Sequence, residues 1–137
     1  MAKLLGIDYG EKRIGLALSD EEGRYAFNYS TLENKGDTVI QALQSICQRE
    51  GVETIILGLP LNQEGGIGVA AEGVKRFALK LEQRLGRRVI FEDERFSTAL
   101  AASLLRQGGK SVREARGVID QSSAQIILQA HLDKHHG

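Results

Sequence analysis

The sequence predicts an α/β protein built on one mixed β-sheet, and two observations support this fold class. Three short apolar segments, at about residues 3–9, 14–19 and 25–32, follow one another with tight turns between them, which is typical of antiparallel strands. After them the apolar pattern alternates between helical periodicity and β-branched runs, which is typical of strands that return parallel to the first. We therefore expect an antiparallel meander, then helix–strand alternation, with helices on both faces of the sheet.

Each later element has its own signal in the sequence. The first helix is expected to begin with Asp37 as its N-cap and to end at Gly51. The other expected elements are strands near 53–59 and 87–94 and helices near 69–85, 97–107 and 117–136. The resulting order is βββαβαβαα, and ligands of such a sheet bind beyond the carboxyl ends of its parallel strands.

Length and composition limit the classes of protein that the chain can form. Its 137 residues suit one domain over residues 1–137, and its one cysteine excludes an internal disulfide. No apolar stretch approaches the roughly 18 residues of a membrane span, and no signal-peptide pattern begins the chain, so we expect a cytoplasmic protein without a membrane partner. Zero net charge and the absence of Trp argue against binding of nucleic acid by bulk charge or by base stacking, but leave room for a local basic surface.

Three acids interrupt or close apolar segments at places that the topology brings to one edge of the sheet. Asp8 lies near the end of the first strand, Glu94 at the end of the last strand, and Asp120 in the first turn of the last helix. Carboxylates that lie close together need a counter-charge, which a divalent cation supplies. Because no Cys/His cluster accompanies them, oxygen ligands favour Mg²⁺ or Mn²⁺. Such sites are typical of enzymes that cleave phosphodiester bonds.

Taken singly, each acid also has an ordinary structural interpretation. A buried aspartate at a strand end more often caps a turn or joins an ion pair, and an acid in a first helical turn is favoured by the helix dipole. Arg88 and Arg95 offer ion-pair partners to Glu94. The metal hypothesis therefore depends on the three acids together. We interpret Glu92 and Asp93 as solvated, although Asp93 can support the site.

Four motifs, in order, give the chain a resemblance to a known family. The segments "GIDYG" with "KRIGLA", "GLPLNQEG", "DERFST" and "DQSSAQIIL" resemble the YqgF family, also called RuvX, whose members are known as Holliday junction resolvase-like proteins or candidate pre-16S rRNA nucleases. The resemblance covers the whole chain. No single motif is specific, but the four in sequence are.

The resemblance implies a ribonuclease H-like fold, in which helices flank a five-stranded mixed sheet of order 3-2-1-4-5. It also implies an acidic metal site, and the matching positions are Asp8, Glu94 and Asp120. One position departs from the family pattern. Family members often carry a basic residue two positions before the last acid, where this chain has Val118, with Arg116 as the nearest base.

Basic and amide side chains near the three acids are candidate phosphate contacts. We expect Gly10 to form the turn after the first strand with a positive φ. The candidate substrate-binding residues are Lys12, Arg13, Asn62, Arg95, Lys110, Arg113 and Arg116. Each can equally be a solvated surface residue, and such contacts position a nucleic-acid backbone rather than read its sequence. The three histidines 131, 135 and 136 are expected in a fraying helix end and not as ligands.

The first functional hypothesis is a hydrolase, a Mg²⁺- or Mn²⁺-dependent nuclease of structured nucleic acid, and the family favours processing of the 5′ end of pre-16S rRNA. The alternatives are a Holliday junction resolvase that acts on branched DNA and a catalytically idle nucleic-acid-binding module. An Asp-x-Gly after a first strand also occurs in the phosphate hairpin of sugar kinases, but that architecture needs two such domains. The expected partner is pre-rRNA or branched DNA, and the expected state is a monomer or weak homodimer. Endonuclease and exonuclease activity both remain open.

Overall fold

The computed structural model describes residues 3–59, 69–93 and 123–134, and every structural statement below concerns this part of the chain. The strands are β1 (Lys3–Tyr9), β2 (Arg13–Ser19), β3 (Ala26–Glu33), β4 (Val52–Leu59) and β5 (Arg88–Asp93). The helices are α1 (Asp37–Glu50), α2 (Val69–Leu85) and the helical residues 123–134, here called α3. The predicted elements agree with these bounds to within one or two residues, except that the structure describes α3 over part of its predicted range. The helix predicted near 97–107 lies outside the described residues.

The five strands form one sheet of order β3-β2-β1-β4-β5. Strand β1 pairs antiparallel with β2, and β2 antiparallel with β3, so the chain opens with the expected meander. Strands β4 and β5 run parallel to β1. The predicted order 3-2-1-4-5 is therefore confirmed, and the carboxyl ends of three parallel strands meet at one edge of the sheet.

The start of α1 corrects one prediction. The N-cap is Gly36, with φ 73° and no side-chain cap, and Asp37 is the first helical residue. A carboxylate in the first turn still interacts favourably with the helix dipole, which explains why an acid stands there without capping the helix. The predicted end is confirmed, because Gly51 is left-handed at φ 69° and its N–H donates to the Cys47 carbonyl.

Two apolar clusters cover the two faces of the sheet. On one face α1 and α2 pack against β1, β2 and β4, and the predicted apolar stripe of α1 is buried there. On the other face α3 packs against the central strands; this cluster consists of Ala17, Ala26, Ile56, Ala124, Ile127, Leu128 and Leu132. Within the described residues, no helix is long and apolar enough to span a bilayer.

Helix α3 approaches the backbone of β1 very closely at Gly6. A Cβ atom at that position would lie 2.7 Å from the Leu128 Cβ and 3.0 Å from the Ala124 carbonyl oxygen. Real Cβ atoms do not come so near, so β1 needs a residue without a side chain where the helix crosses it. The contact between Gly6 and α3 therefore sets the distance of the helix from the sheet.

Side-chain amides fix the same helix at the far edge of the sheet. Gln129 accepts a hydrogen bond from the Ala26 N–H through Oε1 at 2.9 Å, and Gln125 Nε2 donates to the Ala26 carbonyl at 3.0 Å. Both backbone groups of the first residue of β3 are thereby satisfied by α3. The helix thus contacts the meander at one end and the central strands along its length.

A polar cluster at the amino end of the sheet joins β1 and β3 to the end of α1. The Tyr29 hydroxyl donates to Glu50 Oε2 at 3.1 Å, and Lys3 Nζ lies 3.5 Å from Glu50 Oε1. The hydrogen bond from Tyr29 is the main cause that holds the pKa of Glu50 below its ordinary value. Lys3 lowers the pKa further through its hydrogen bond and its charge, whereas burial opposes both effects.

The close approach at Gly6 predicts that Gly6→Ala lowers the free energy of unfolding by about 1–3 kcal/mol, because either α3 or β1 must shift. The matched control is Gly73→Ala in α2, where the nearest atom to an added Cβ is a guanidinium nitrogen of Arg76 at 3.9 Å. That change should raise the free energy by about 0.5–1 kcal/mol, since alanine favours a helix interior. Urea unfolding of both variants measures the difference. Equal effects at the two sites would contradict the close packing of α3.

The lowered pKa of Glu50 predicts a specific loss of stability in acid. A carboxyl group whose pKa is lower in the folded state stabilises the fold above its unfolded pKa, near the ordinary 4.5, and the gain is lost as pH falls through the folded value. Glu50→Gln should therefore flatten the acid side of the stability–pH curve, measured by urea midpoints between pH 7 and pH 3. The control is Glu53→Gln, which removes an exposed charge and should leave the pH dependence of stability close to that of wild type. If Glu50→Gln lost stability in acid as steeply as wild type, the prediction would be contradicted.

Candidate metal centre

Asp8 lies at the carboxyl end of β1, on the face of the sheet that α3 covers. It pairs with Gly15 of β2, and alternation along the strand places it on the same face as Gly6. The residue is half-buried. Among residues 3–59, 69–93 and 123–134, no side chain or backbone N–H forms a hydrogen bond or ion pair with the Asp8 carboxylate. A half-buried carboxylate without a partner in this part of the chain is a candidate ligand for a cation.

The register of the parallel strands places a second acid in the same row. Ile7 pairs with Leu57 of β4, and one step further Gly58 pairs with Glu92 of β5, so Asp8, Gly58 and Glu92 lie side by side. Adjacent strands are about 4.8 Å apart, which separates the Cα atoms of the two acids by about 10 Å. Gly58 has no side chain, so β4 places no side chain between them.

Glu92 differs from Asp8 because it has partners within the chain. Its residue is 6% exposed, and its carboxylate forms an ion pair and hydrogen bond with Lys134 of α3. The Nδ1 atom of His131 lies 3.7 Å from Glu92 Oε2. The expectation that Glu92 is solvated is therefore wrong. A residue near the end of a strand can be buried when the last helix crosses that end.

His131 also corrects a prediction. It is 6% exposed, inside α3, rather than in a fraying end. His131 and Lys134 stand three positions apart, which places them on one face of a helix, and this spacing is the signal in the sequence that points to their shared role. What the spacing does not reveal is the strand that this face meets.

The turn after β1 is tighter than the sequence indicates. The Gly10 backbone does not take a positive φ, contrary to prediction. Glycine is needed there because an added Cβ would lie 2.5 Å from the Arg13 carbonyl oxygen. Asn34 closes the turn, since its Nδ2 donates to the Gly10 carbonyl at 2.8 Å and its N–H to the Lys12 carbonyl at 2.9 Å. The side chains of Lys12 and Arg13 are exposed at this turn, and their role as phosphate contacts stays a prediction.

The remaining predicted site residues lie outside the part of the chain that the structure describes. They are Glu94, Asp120, Asn62, Arg95, Lys110, Arg113 and Arg116. In sequence, Glu94 directly follows the last residue of β5, and Asp120 precedes α3 by three residues. Within the described residues, no group of three His, Cys, Asp or Glu side chains is arranged to hold a metal ion.

The chemistry of the described acids fits a hard divalent cation at one of the two positions. Asp8 offers carboxylate oxygens, the ligands that Mg²⁺ and Mn²⁺ prefer, and no charge of the described chain neutralises it. Glu92 offers the same atoms, but Lys134 already supplies its counter-charge. Asp8 therefore fits as a ligand, and Glu92 does not.

Comparison with solved structures defines the class of this fold. The structure of T. thermophilus RuvC in complex with Holliday junction substrate superposes with a TM-score of 0.59, covering 100% of this chain and 97% of that chain at 13% sequence identity. RuvC has a ribonuclease H-like fold, and the present chain shares it. At this identity the likeness shows the fold alone.

Sequence comparison then identifies the family. The profile of the RuvX family, described as Holliday junction resolvase, matches residues 2–134, and the chain belongs to this family. A relative from Syntrophus aciditrophicus (strain SB) is 42% identical over 132 residues, which are 96% of this chain and 88% of the relative. One from Moorella thermoacetica is 40% identical over 133 residues, covering 96% and 95% of the two chains. Both relatives are named as candidate pre-16S rRNA nucleases.

The Asp8 carboxylate, which has no partner in the described part of the chain, predicts a metal-dependent rise in stability that Asp8→Asn abolishes. A ligand at 100 times its dissociation constant stabilises the folded state by about 2.7 kcal/mol. Wild-type protein should therefore melt higher in excess Mn²⁺ than in EDTA, whereas Asp8→Asn should melt alike in both. In EDTA the two proteins should agree within about 0.5 kcal/mol, since the described structure shows no hydrogen bond of this carboxylate to lose. A Mn²⁺ shift that survives in Asp8→Asn would exclude Asp8 as a ligand.

Proposed function

We propose that this chain is a metal-dependent nuclease that hydrolyses phosphodiester bonds in structured nucleic acid, and that its substrate is the 5′ end of pre-16S rRNA. Membership of the RuvX family and the names of the two relatives support a nuclease. The observation that carries the proposal is the Asp8 carboxylate, which has no partner among the described residues and lies at the carboxyl edge of the parallel strands, where sheets of this kind bind their ligands. A reaction on rRNA implies a cytoplasmic protein.

In this proposal Asp8, Glu94 and Asp120 hold one or two Mg²⁺ or Mn²⁺ ions. A divalent cation in such a site supplies Lewis acidity toward a phosphate oxygen. The backbone of Asp8 would be held rigidly in such a site, because β1 is paired with a strand on each side. Rigid placement of ligands matters because catalysis depends on alignment at the reacting phosphate.

Basic residues beside the acids would position the nucleic-acid backbone. The exposed side chains of Lys12 and Arg13 lie at the turn after β1, and Asn34 holds the backbone of that turn in place. The remaining candidates are Asn62, Arg95, Lys110, Arg113 and Arg116. Such contacts add affinity without sequence preference, so weaker binding at higher salt would accompany them.

A second candidate function is resolution of four-way DNA junctions, because the family is described as Holliday junction resolvase. A resolvase must cut two strands symmetrically and so would act as a dimer. The two candidates use the same acidic site. They differ in substrate and in the oligomeric state of the active protein.

A cleavage panel separates these functions. Wild-type protein is incubated with a pre-16S rRNA 5′-end fragment and with a four-way DNA junction, each in Mg²⁺, Mn²⁺ or EDTA, while its mass in solution is measured. We expect metal-dependent cleavage of the RNA, and product sizes then distinguish endonuclease from exonuclease activity. Asp8→Asn should lower the rate by about 100-fold or more, since metal ligands contribute several kcal/mol at the transition state.

The matched control is Glu53→Gln, which removes an exposed charge at the amino end of β4 and should leave cleavage unchanged. Asp8→Asn protein that cleaves both substrates as fast as wild type would contradict the proposal. Cleavage of the junction alone, by a dimer, would favour the resolvase. Salt-dependent binding of nucleic acid without Mn²⁺ binding and without cleavage would indicate an idle binding module.

A further inference from the structure

Glu92 and its two partners join the carboxyl end of β5 to the last described turn of α3. The Glu92 side chain is 7% exposed and that of His131 8%, whereas the side chain of Lys134 is 62% exposed. A carboxylate so deeply buried is held in place by its partners, because moving it away from Lys134 would leave its charge without compensation. The cluster therefore restrains the backbone at the end of β5.

Helix α3 connects this cluster to the strand that carries Asp8. Its residues Ala124 and Leu128 lie directly on Gly6, two positions before Asp8 on the same face of β1. One to two turns beyond Leu128, the same helix reaches Glu92 through His131 and Lys134. One helix thus packs on the middle of β1 and on the carboxyl end of β5.

We propose that Glu92 is a positioning residue for the proposed metal site: held by Lys134 and His131, it fixes against α3 the end of β5, the strand that Glu94 directly follows in sequence. This inference rests on the proposed function, in which Glu94 is a metal ligand. In sequence, two planar peptide bonds separate Glu92 from the proposed ligand, so the restrained end of the strand is close to it along the chain. Groups that orient metal ligands in this way typically change metal affinity by about 10–100-fold when they are replaced.

Positioning must be separated from a simple effect of charge. Removing the negative charge of Glu92 would weaken cation binding by electrostatics alone, without any change of geometry. Removing the positive charge of Lys134 has the opposite electrostatic effect and would strengthen cation binding. Positioning predicts weaker binding in both cases, because either change releases the end of β5. The pair Glu92→Gln and Lys134→Met therefore distinguishes the two explanations.

The experiment titrates Mn²⁺ into metal-free protein by calorimetry, at a temperature where every variant is folded. We expect Glu92→Gln and Lys134→Met each to weaken Mn²⁺ binding by about 10-fold, and Lys134→Arg, which keeps the ion pair, to bind close to wild type. The matched control is Glu50→Gln, which breaks a polar cluster at the opposite end of the sheet and should leave Mn²⁺ affinity unchanged. If Glu92→Gln does not fold, Lys134→Met carries the test, since the Lys134 side chain is largely exposed.

A second readout needs no metal. Backbone amides of residues 90–93 should exchange hydrogen several-fold faster in Glu92→Gln than in wild type, while those of β1 and β2 keep their rates. Protein that melts at a lower temperature but binds Mn²⁺ with wild-type affinity would show a purely structural role and overturn the inference. Tighter Mn²⁺ binding by Lys134→Met would overturn it in favour of charge. Wild-type protein that binds no Mn²⁺ would contradict the proposed function itself, and the inference with it.

Discussion

The contact of α3 with the backbone of β1 at Gly6 is the constraint on which the rest of the site depends. Because a Cβ there would lie 2.7 Å from Leu128, the helix sits lower on the sheet than any larger residue would permit. At that height Gln125 and Gln129 reach the backbone of β3, and Lys134 reaches Glu92. One missing side chain in the central strand thus sets the place of a helix that touches both edges of the sheet.

Much of this architecture could be predicted from the sequence because its signals are local. Short apolar runs between turns define the meander, and the apolar stripe and Gly51 define α1. The parallel return of β4 and β5 agrees with the prediction because topology rules leave few arrangements for this element order, whereas the full strand order was implied by the resemblance to the family. The prediction of a positive φ at Gly10 is wrong, because a short turn that contains glycine is compatible with several backbone conformations. Glycine is required there by the nearby Arg13 carbonyl, a contact that the sequence does not reveal.

The candidate site could be predicted in part. Asp8 is identifiable because a charge inside an apolar strand needs a reason, and its place at the carboxyl end of β1 follows from topology. The prediction for Glu92 is wrong because its burial depends on a helix whose Lys134 is 42 positions away in sequence, and no local pattern reports which strand that helix crosses. The same holds for His131. Pairings between distant elements are set by packing, whereas helix and strand periods are set by neighbouring residues.

The two acids in one row of the sheet follow the same electrostatic rule with different outcomes. A carboxylate removed from water needs a positive charge nearby, and the fold supplies one to Glu92 through Lys134. It supplies none to Asp8 among the described residues, although both acids lie on the α3 face of the sheet. Within the described residues the charge of Glu92 is therefore structural, and the proposed function assigns the charge of Asp8 to ligand binding. The ion pair of Glu92 stabilises the end of β5, whereas in the proposed function the Asp8 carboxylate would give this edge of the sheet its affinity for a cation.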